Sequence, residues 1–110
     1  MKLKDKYPNL DQFFGYFNQD WDDDYATAAD GVRDFLTCTE QEIVDVTREL
    51  QAFLSEFEND EELGKALTEF GCEYDPARDG LTDRGWLANQ VLPMLEKHLA
   101  ENKNRIAGSA

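Results

Sequence analysis

Between Thr39 and Phe57 the apolar residues recur with the period of an α-helix, a spacing that strand alternation does not produce. At 100° per residue, Ile43, Val46, Thr47, Leu50, Phe53, Leu54 and Phe57 all fall within about 60° of Leu50. Thr39 and Glu42 form a capping box at the start, and the helix is expected to run to about Glu58. A single apolar stripe of this kind has to be buried against other elements.

The rest of the chain offers more helices and no convincing strand pair. A first helix is expected from Pro8 to about Asn18, with Leu10, Phe13, Phe14 and Phe17 inward. A second runs from Thr27 as N-cap to about Thr37, burying Ala28, Val32, Phe35 and Leu36. Asn59-Asp60 caps a fourth, with Leu63, Ala66, Leu67 and Phe70 inward and Gly71 as its stop. Asp75-Pro76 and Asp79-Gly80 mark a loop. Thr82 then opens a long last helix carrying Trp86, Leu87, Val91, Met94, Leu95 and Leu99. Pro93 inside it predicts a kink and a lost backbone bond to Asn89. The expectation is an all-α, single-domain bundle of about five helices over residues 1–110. Its core lies between about residues 7 and 101, with a frayed tail from Asn102.

Charge is distributed unevenly over that framework. Between Tyr7 and Gly64 there are sixteen Asp and Glu against Arg33 and Arg48, a net charge of −14, while the whole chain carries −13. The acidity peaks at Asp20-Trp21-Asp22-Asp23-Asp24-Tyr25. Self-repulsion on this scale opposes a compact fold, so a cationic partner is expected. A pI near 4.2 makes nucleic acid and anionic membrane surfaces poor partners. No run of about 18 apolar residues exists to span a bilayer. The basic start at Lys2 has no apolar stretch after it, so a secretory signal is not expected. Cys38 and Cys72 lie 34 positions apart without a Cys-x-x-Cys or a paired His, and read as free thiols in a reducing, cytoplasmic setting.

Catalytic chemistry is thinly supplied. The chain has one histidine, His98, on the apolar side of the last helix, and two serines, Ser55 and Ser109. His98 reads as a half-buried structural residue. One His and two distant Cys make no zinc site. Asp20, Asp22 and Asp24 alternate like the start of an EF-hand loop, but Tyr25 and Gly31 stand where that loop needs Gly and Glu. No glycine-rich phosphate loop follows a strand. Neither a cofactor nor a metal is expected, and the chain does not read as an enzyme.

The carboxylates themselves are the candidate site. Glu42, Asp45, Glu49 and Glu56 share one flank of the third helix, roughly 80° to 140° from Leu50. Like charges at i, i+4, such as Asp45 and Glu49, cost a few tenths of a kcal/mol and so call for a compensating use. Asp22, Asp23 and Asp24 join them as candidate partner contacts, with Tyr16 and Tyr25 as aromatic contacts. Trp21 reads as a structural anchor.

One stretch carries a resemblance. Tyr7-Pro8-x-Leu10-x-x-Phe13-x-Gly15-Tyr16-Phe17-x-Gln19-Asp20-Trp21 resembles the opening signature of the CdiI immunity proteins of bacterial contact-dependent growth inhibition systems. Glu49-Leu50-x-x-Phe53-Leu54, Leu63-x-x-x-Leu67-x-x-x-Gly71 with Tyr74, and Trp86-Leu87 are similar to later features of that family, so the likeness covers about Tyr7 to Leu99. The resemblance implies a small helical cytoplasmic protein without catalysis. It would bind the toxin domain at the C-terminus of a cognate CdiA surface protein, often a basic nuclease. It also implies that Gly15 and Trp21 serve the shared fold, while Asp22, Asp23 and Asp24, outside the signature, contact the partner.

Two other readings use the same carboxylates. An acidic DNA mimic blocking a DNA-binding protein would carry them in two rows spaced like duplex phosphates. A small all-α, Mg²⁺-dependent nucleotide pyrophosphohydrolase would need acidic pairs facing each other across helices, for which Glu42-x-x-Asp45 and Glu58-x-x-Glu61 are the available motifs.

Overall fold

A computed structural model describes the backbone of residues 2–109 and the side chains of residues 2–102. Its regular elements are all helical, and no strand occurs among the described residues. Short α1 (Leu3–Lys6) leads into α2 (Pro8–Phe14), which tightens into a 3-10 turn at Gly15–Phe17. The one-turn α3 (Trp21–Asp24) precedes α4 (Ala28–Phe35) and the longest internal helix, α5 (Glu40–Glu56). α6 (Asp60–Glu69), a 3-10 turn at Pro76–Asp79, α7 (Asp83–Trp86), a π turn at Leu87–Val91 and α8 (Leu92–Ser109) complete the chain. The all-α bundle expected from the sequence is the observed architecture.

The long elements start where local chemistry supplies acceptors for their first free N–H groups. Thr27 and Thr39 each form a complete capping box, with Asp30 and Glu42 respectively, and Asn59 accepts from Glu61 and Glu62. α6 ends at Gly71, whose φ of +80° is a left-handed conformation that a side chain resists. The far end of α5 is closed from a distance. The Arg84 guanidinium donates to the Leu54 carbonyl at 3.1 Å and to that of Phe57, placing a cation at the negative end of the helix.

α5 packs between α2 and α8, while α4 lies against the Gly15–Phe17 turn and the π turn. The core between them is aromatic. Phe13 meets Phe35 with ring centroids 5.0 Å apart, Phe14 meets Phe70 at 5.1 Å, and Phe17 meets Trp86 at 5.1 Å. Edge-on and tilted pairs dominate, the arrangement that ring quadrupoles favour. Gly31 on α4 allows the close approach of Phe17, whose ring lies 3.0 Å from where a Cβ would stand.

Two expectations need correction. The first helix stops as α-helix at Phe14, short of Asn18. The interruption expected at Pro93 takes the form of a π turn, in which the Leu92 N–H reaches back to the Leu87 carbonyl. Pro93 thereby falls at the second position of α8, directly after the π turn. The backbone of α8 continues as helix to Ser109, while the frayed tail expected from Asn102 falls, beyond that residue, on positions whose side chains, and for Ala110 the backbone too, lie outside the described residues.

Candidate functional site

The sequence-derived carboxylates fall into two groups with different surroundings. Those on α5 all have partners inside the fold. Glu42 accepts the Thr39 N–H at 3.2 Å as half of the capping box. Asp45 accepts from Gln41 at 3.0 Å and pairs with Arg48 at 3.0 Å. Glu49 accepts the N–H groups of Asn9 and Leu10 at 3.0 and 3.2 Å, and the Asn9 side-chain amide as well. Glu56 accepts the Tyr7 hydroxyl at 2.6 Å and pairs with Lys6.

These bonds show in the titration of the groups. The Lys6 ammonium, and then the Tyr7 hydroxyl, hold the Glu56 carboxyl below its ordinary range. Burial, followed by the bond to Glu56, pushes the Tyr7 phenol up to about 12.

α3 presents the opposite case. Trp21 is buried against Tyr74 and Phe17, with ring centroids at 5.1 and 6.1 Å, and the Arg78 guanidinium lies 5.2 Å over its ring. This anchor holds one helical turn whose other residues, Asp22, Asp23 and Asp24, are exposed. Among the described residues none of these three carboxylates makes an ion pair or a side-chain hydrogen bond. Trp21 has the anchoring role read from the sequence, and its ring face is already occupied by Arg78.

Tyr16, Asp24 and Tyr25 come together. With Gln12, Gly15 and Asn18 they line a cleft of about 210 Å³ between the Gly15–Phe17 turn and α3. The Tyr25 hydroxyl donates to Asp34 at 2.5 Å, a bond that, with burial, pushes the phenol up to about 12. Tyr16 points less outward than its helical position implied. It is half-buried, packed edge-on against Phe35, with its hydroxyl 3.4 Å from the Cys38 sulfur. That contact and burial push its phenol up to about 12 as well. Both tyrosines are therefore neutral at physiological pH.

Gly15 departs from the structural role implied for it. Its φ of −60° and ψ of −23° are ordinary right-handed values, and a Cβ added there would meet nothing within 4 Å. Alanine in such a position is usually worth about 1 kcal/mol over glycine. The fold does not explain the glycine.

Cys38 and Cys72 are free and half-buried, and burial pushes the Cys72 thiol up to about 12. His98 is half-buried, with Nε2 3.2 Å from the Asn102 amide. Among the described residues no three His, Cys, Asp or Glu side chains converge as a metal site, and no helix is long and apolar enough to cross a membrane. Of the acidic motifs weighed for Mg²⁺, Glu42 caps α5, Asp45 pairs with Arg48, and Glu61 lies 3.6 Å from Lys65.

Neither the curated proteins nor the solved structures compared with this chain yielded a match. A family profile did: that of the CdiI immunity protein matches residues 6–91. The matched span runs from the Lys6–Glu56 pair, through the Phe13–Phe17 aromatics, the Trp21 anchor and α5, to the end of the π turn at Val91. It contains nearly all of the packed core, and on that match the chain belongs to the CdiI immunity protein family.

Proposed function

We propose that this protein binds and neutralises the C-terminal toxin domain of a cognate CdiA, a cationic nuclease and specifically a ribonuclease, by laying its acidic surface over the toxin's basic active site. The observation that carries this reading is the triplet Asp22, Asp23 and Asp24, exposed and without an ion pair among the described residues, on a turn pinned by a buried tryptophan. A nuclease has to grip phosphates with a basic cleft, and carboxylates held in place offer that cleft a competing anion. Tyr16 and Tyr25 supply aromatic contact beside the triplet. Glu42, Asp45, Glu49 and Glu56 add to the negative field while serving the fold. Steering by that field raises the capture rate towards about 10⁸ M⁻¹s⁻¹ at low salt, which matters when each free toxin molecule does damage. The protein works in the cytoplasm, needs no cofactor and turns nothing over.

The test uses the C-terminal toxin domain of the cognate CdiA, with RNA cleavage and association rate as readouts. A stoichiometric amount of the protein is expected to stop cleavage. The Asp22→Asn, Asp23→Asn, Asp24→Asn triple variant is expected to associate more slowly and with a flatter salt dependence. An unchanged rate and salt slope would move the interface elsewhere. Undiminished cleavage within an intact complex would rule out occlusion of the active site.

A further inference from the structure

We propose that the cleft between the Gly15–Phe17 turn and α3 is a socket for one arginine side chain of the partner, and that Gly15 is glycine to keep the socket open. The inference rests on the neutralisation reading for whose arginine it is; the chemistry of the socket stands by itself.

Three observations converge. At about 210 Å³ the cleft is smaller than the roughly 300–1,000 Å³ usual for small-molecule sites, and suits a single side chain. Its lining offers one carboxylate, two amides and two aromatic residues but no cation: Asp24, Gln12, Asn18 (whose side-chain carbonyl also accepts the Asp20 N–H at 3.1 Å), Tyr16 and Tyr25. Asp34, bonded to the Tyr25 hydroxyl, adds a second negative charge felt by both phenols. Because the Tyr25 hydroxyl spends its proton on Asp34, its free lone pairs accept. Finally, a Cβ at Gly15 would project into empty space beside the cleft, in a backbone conformation open to any residue. A glycine the fold does not need leaves room that an occupant would need.

A guanidinium fits this lining better than an ammonium. It is planar, stacks on aromatic faces, and spreads five N–H donors that Asp24 and the side-chain amides can share. The protein already holds one such pairing internally, Arg78 over Trp21.

The experiment titrates the full chain with the blocked tripeptide acetyl-Gly-Arg-Gly-amide at millimolar concentration, following backbone amide signals by NMR. The controls replace arginine with lysine or with citrulline, a neutral isostere. Saturable shifts are expected at Gly15, Asn18, Asp24 and Tyr25 with arginine, weaker ones with lysine and none with citrulline. Gly15→Leu is expected to fill the socket and weaken arginine binding by at least about tenfold without lowering Tm, and Asp24→Asn to weaken it as well. The proposal is overturned if arginine and lysine bind alike, if shifts spread evenly over acidic residues such as Glu61 and Glu62, or if Gly15→Leu binds as the parent does. No toxin is present in this titration, so its failure leaves the neutralisation reading standing, and failure of toxin binding leaves the titration result standing.

Discussion

The Glu49 carboxylate in α5 accepts the backbone N–H of Asn9 at 3.0 Å, and so caps a helix whose own N-cap residue, Tyr7, offers it no side-chain acceptor. The same carboxylate takes the Leu10 N–H at 3.2 Å and the Asn9 side-chain amide. A helix N-terminus attracts negative charge, and charged acceptors make the stronger hydrogen bonds.

Glu49→Ala is therefore expected to cost about 2 kcal/mol of unfolding free energy, and Glu49→Gln about half that. Urea denaturation of both variants beside Asp23→Asn checks this, since Asp23 is exposed and makes no ion pair among the described residues, and its change should stay within about 0.5 kcal/mol. Equal midpoints for Glu49→Ala and Asp23→Asn would mean that the tertiary cap contributes nothing.

The second expectation concerns Glu56, whose carboxyl sits below its ordinary value of 4.5 because of Lys6 and Tyr7. A folded value below the unfolded one gives stability that is complete above about pH 4.5 and is lost as pH falls through the folded value. Glu56→Gln should thus be less stable than the parent at pH 7, with the difference closing in acid. The Lys6 and Glu56 side chains are 46% and 33% exposed, so added salt should narrow the gap at neutral pH. A gap independent of pH would assign the effect to packing.

Asp83 behaves with the opposite sign. Burial, then the charges of Asp75 and Asp60, raise its carboxyl above 3.8. Its contribution is complete below that value and is lost as pH rises through the folded value. Asp83→Asn is expected to be more stable than the parent at pH 7 and equal to it below about pH 3.8. The reverse order at pH 7 would show that the favourable place of Asp83 in the first turn of α7 outweighs the crowding.

Trp21 provides a test of the α3 anchor. It is 5% exposed and sandwiched by Phe17, Tyr74 and Arg78, so Trp21→Ala should cost about 3–5 kcal/mol. Val44, the exposed large apolar residue of α5, should tolerate Val44→Ala within about 0.5 kcal/mol. Similar losses at the two positions in thermal melts would mean that α3 is not held by its tryptophan.

What was legible in the sequence follows the range of the forces involved. Thr27, Thr39, Asn59 and Thr82 accept bonds from residues two or three positions on, and the inward stripe of α5 depends only on its own winding. These could be read from spacing. The bond from Asn9 to Glu49 and those from Arg84 to Leu54 and Phe57 join positions some 30 to 40 residues apart, and spacing carries no record of them. The α5 flank therefore read as four free carboxylates, although each is engaged. The cleft was half legible: Tyr16, Asp24 and Tyr25 were singled out separately, and only the reversal between the 3-10 turn and α3 makes them neighbours. Gly15 stands out only within the family-like signature, which implies a structural role, and nothing in its spacing points to the open space beside it.

The π turn has a consequence for everything that follows it. In an ideal α-helix residues four apart drift by about 40° at each step, so a four-residue stripe slides round the helix. Leu87, Val91 and Leu95 are spaced by fours, yet all three are fully buried. The π turn winds less per residue and cancels the slippage, as a leap day returns a calendar to the seasons. One extra residue in the cycle keeps α8 aimed at α5, and the proline just beyond it discourages the chain from taking that residue back.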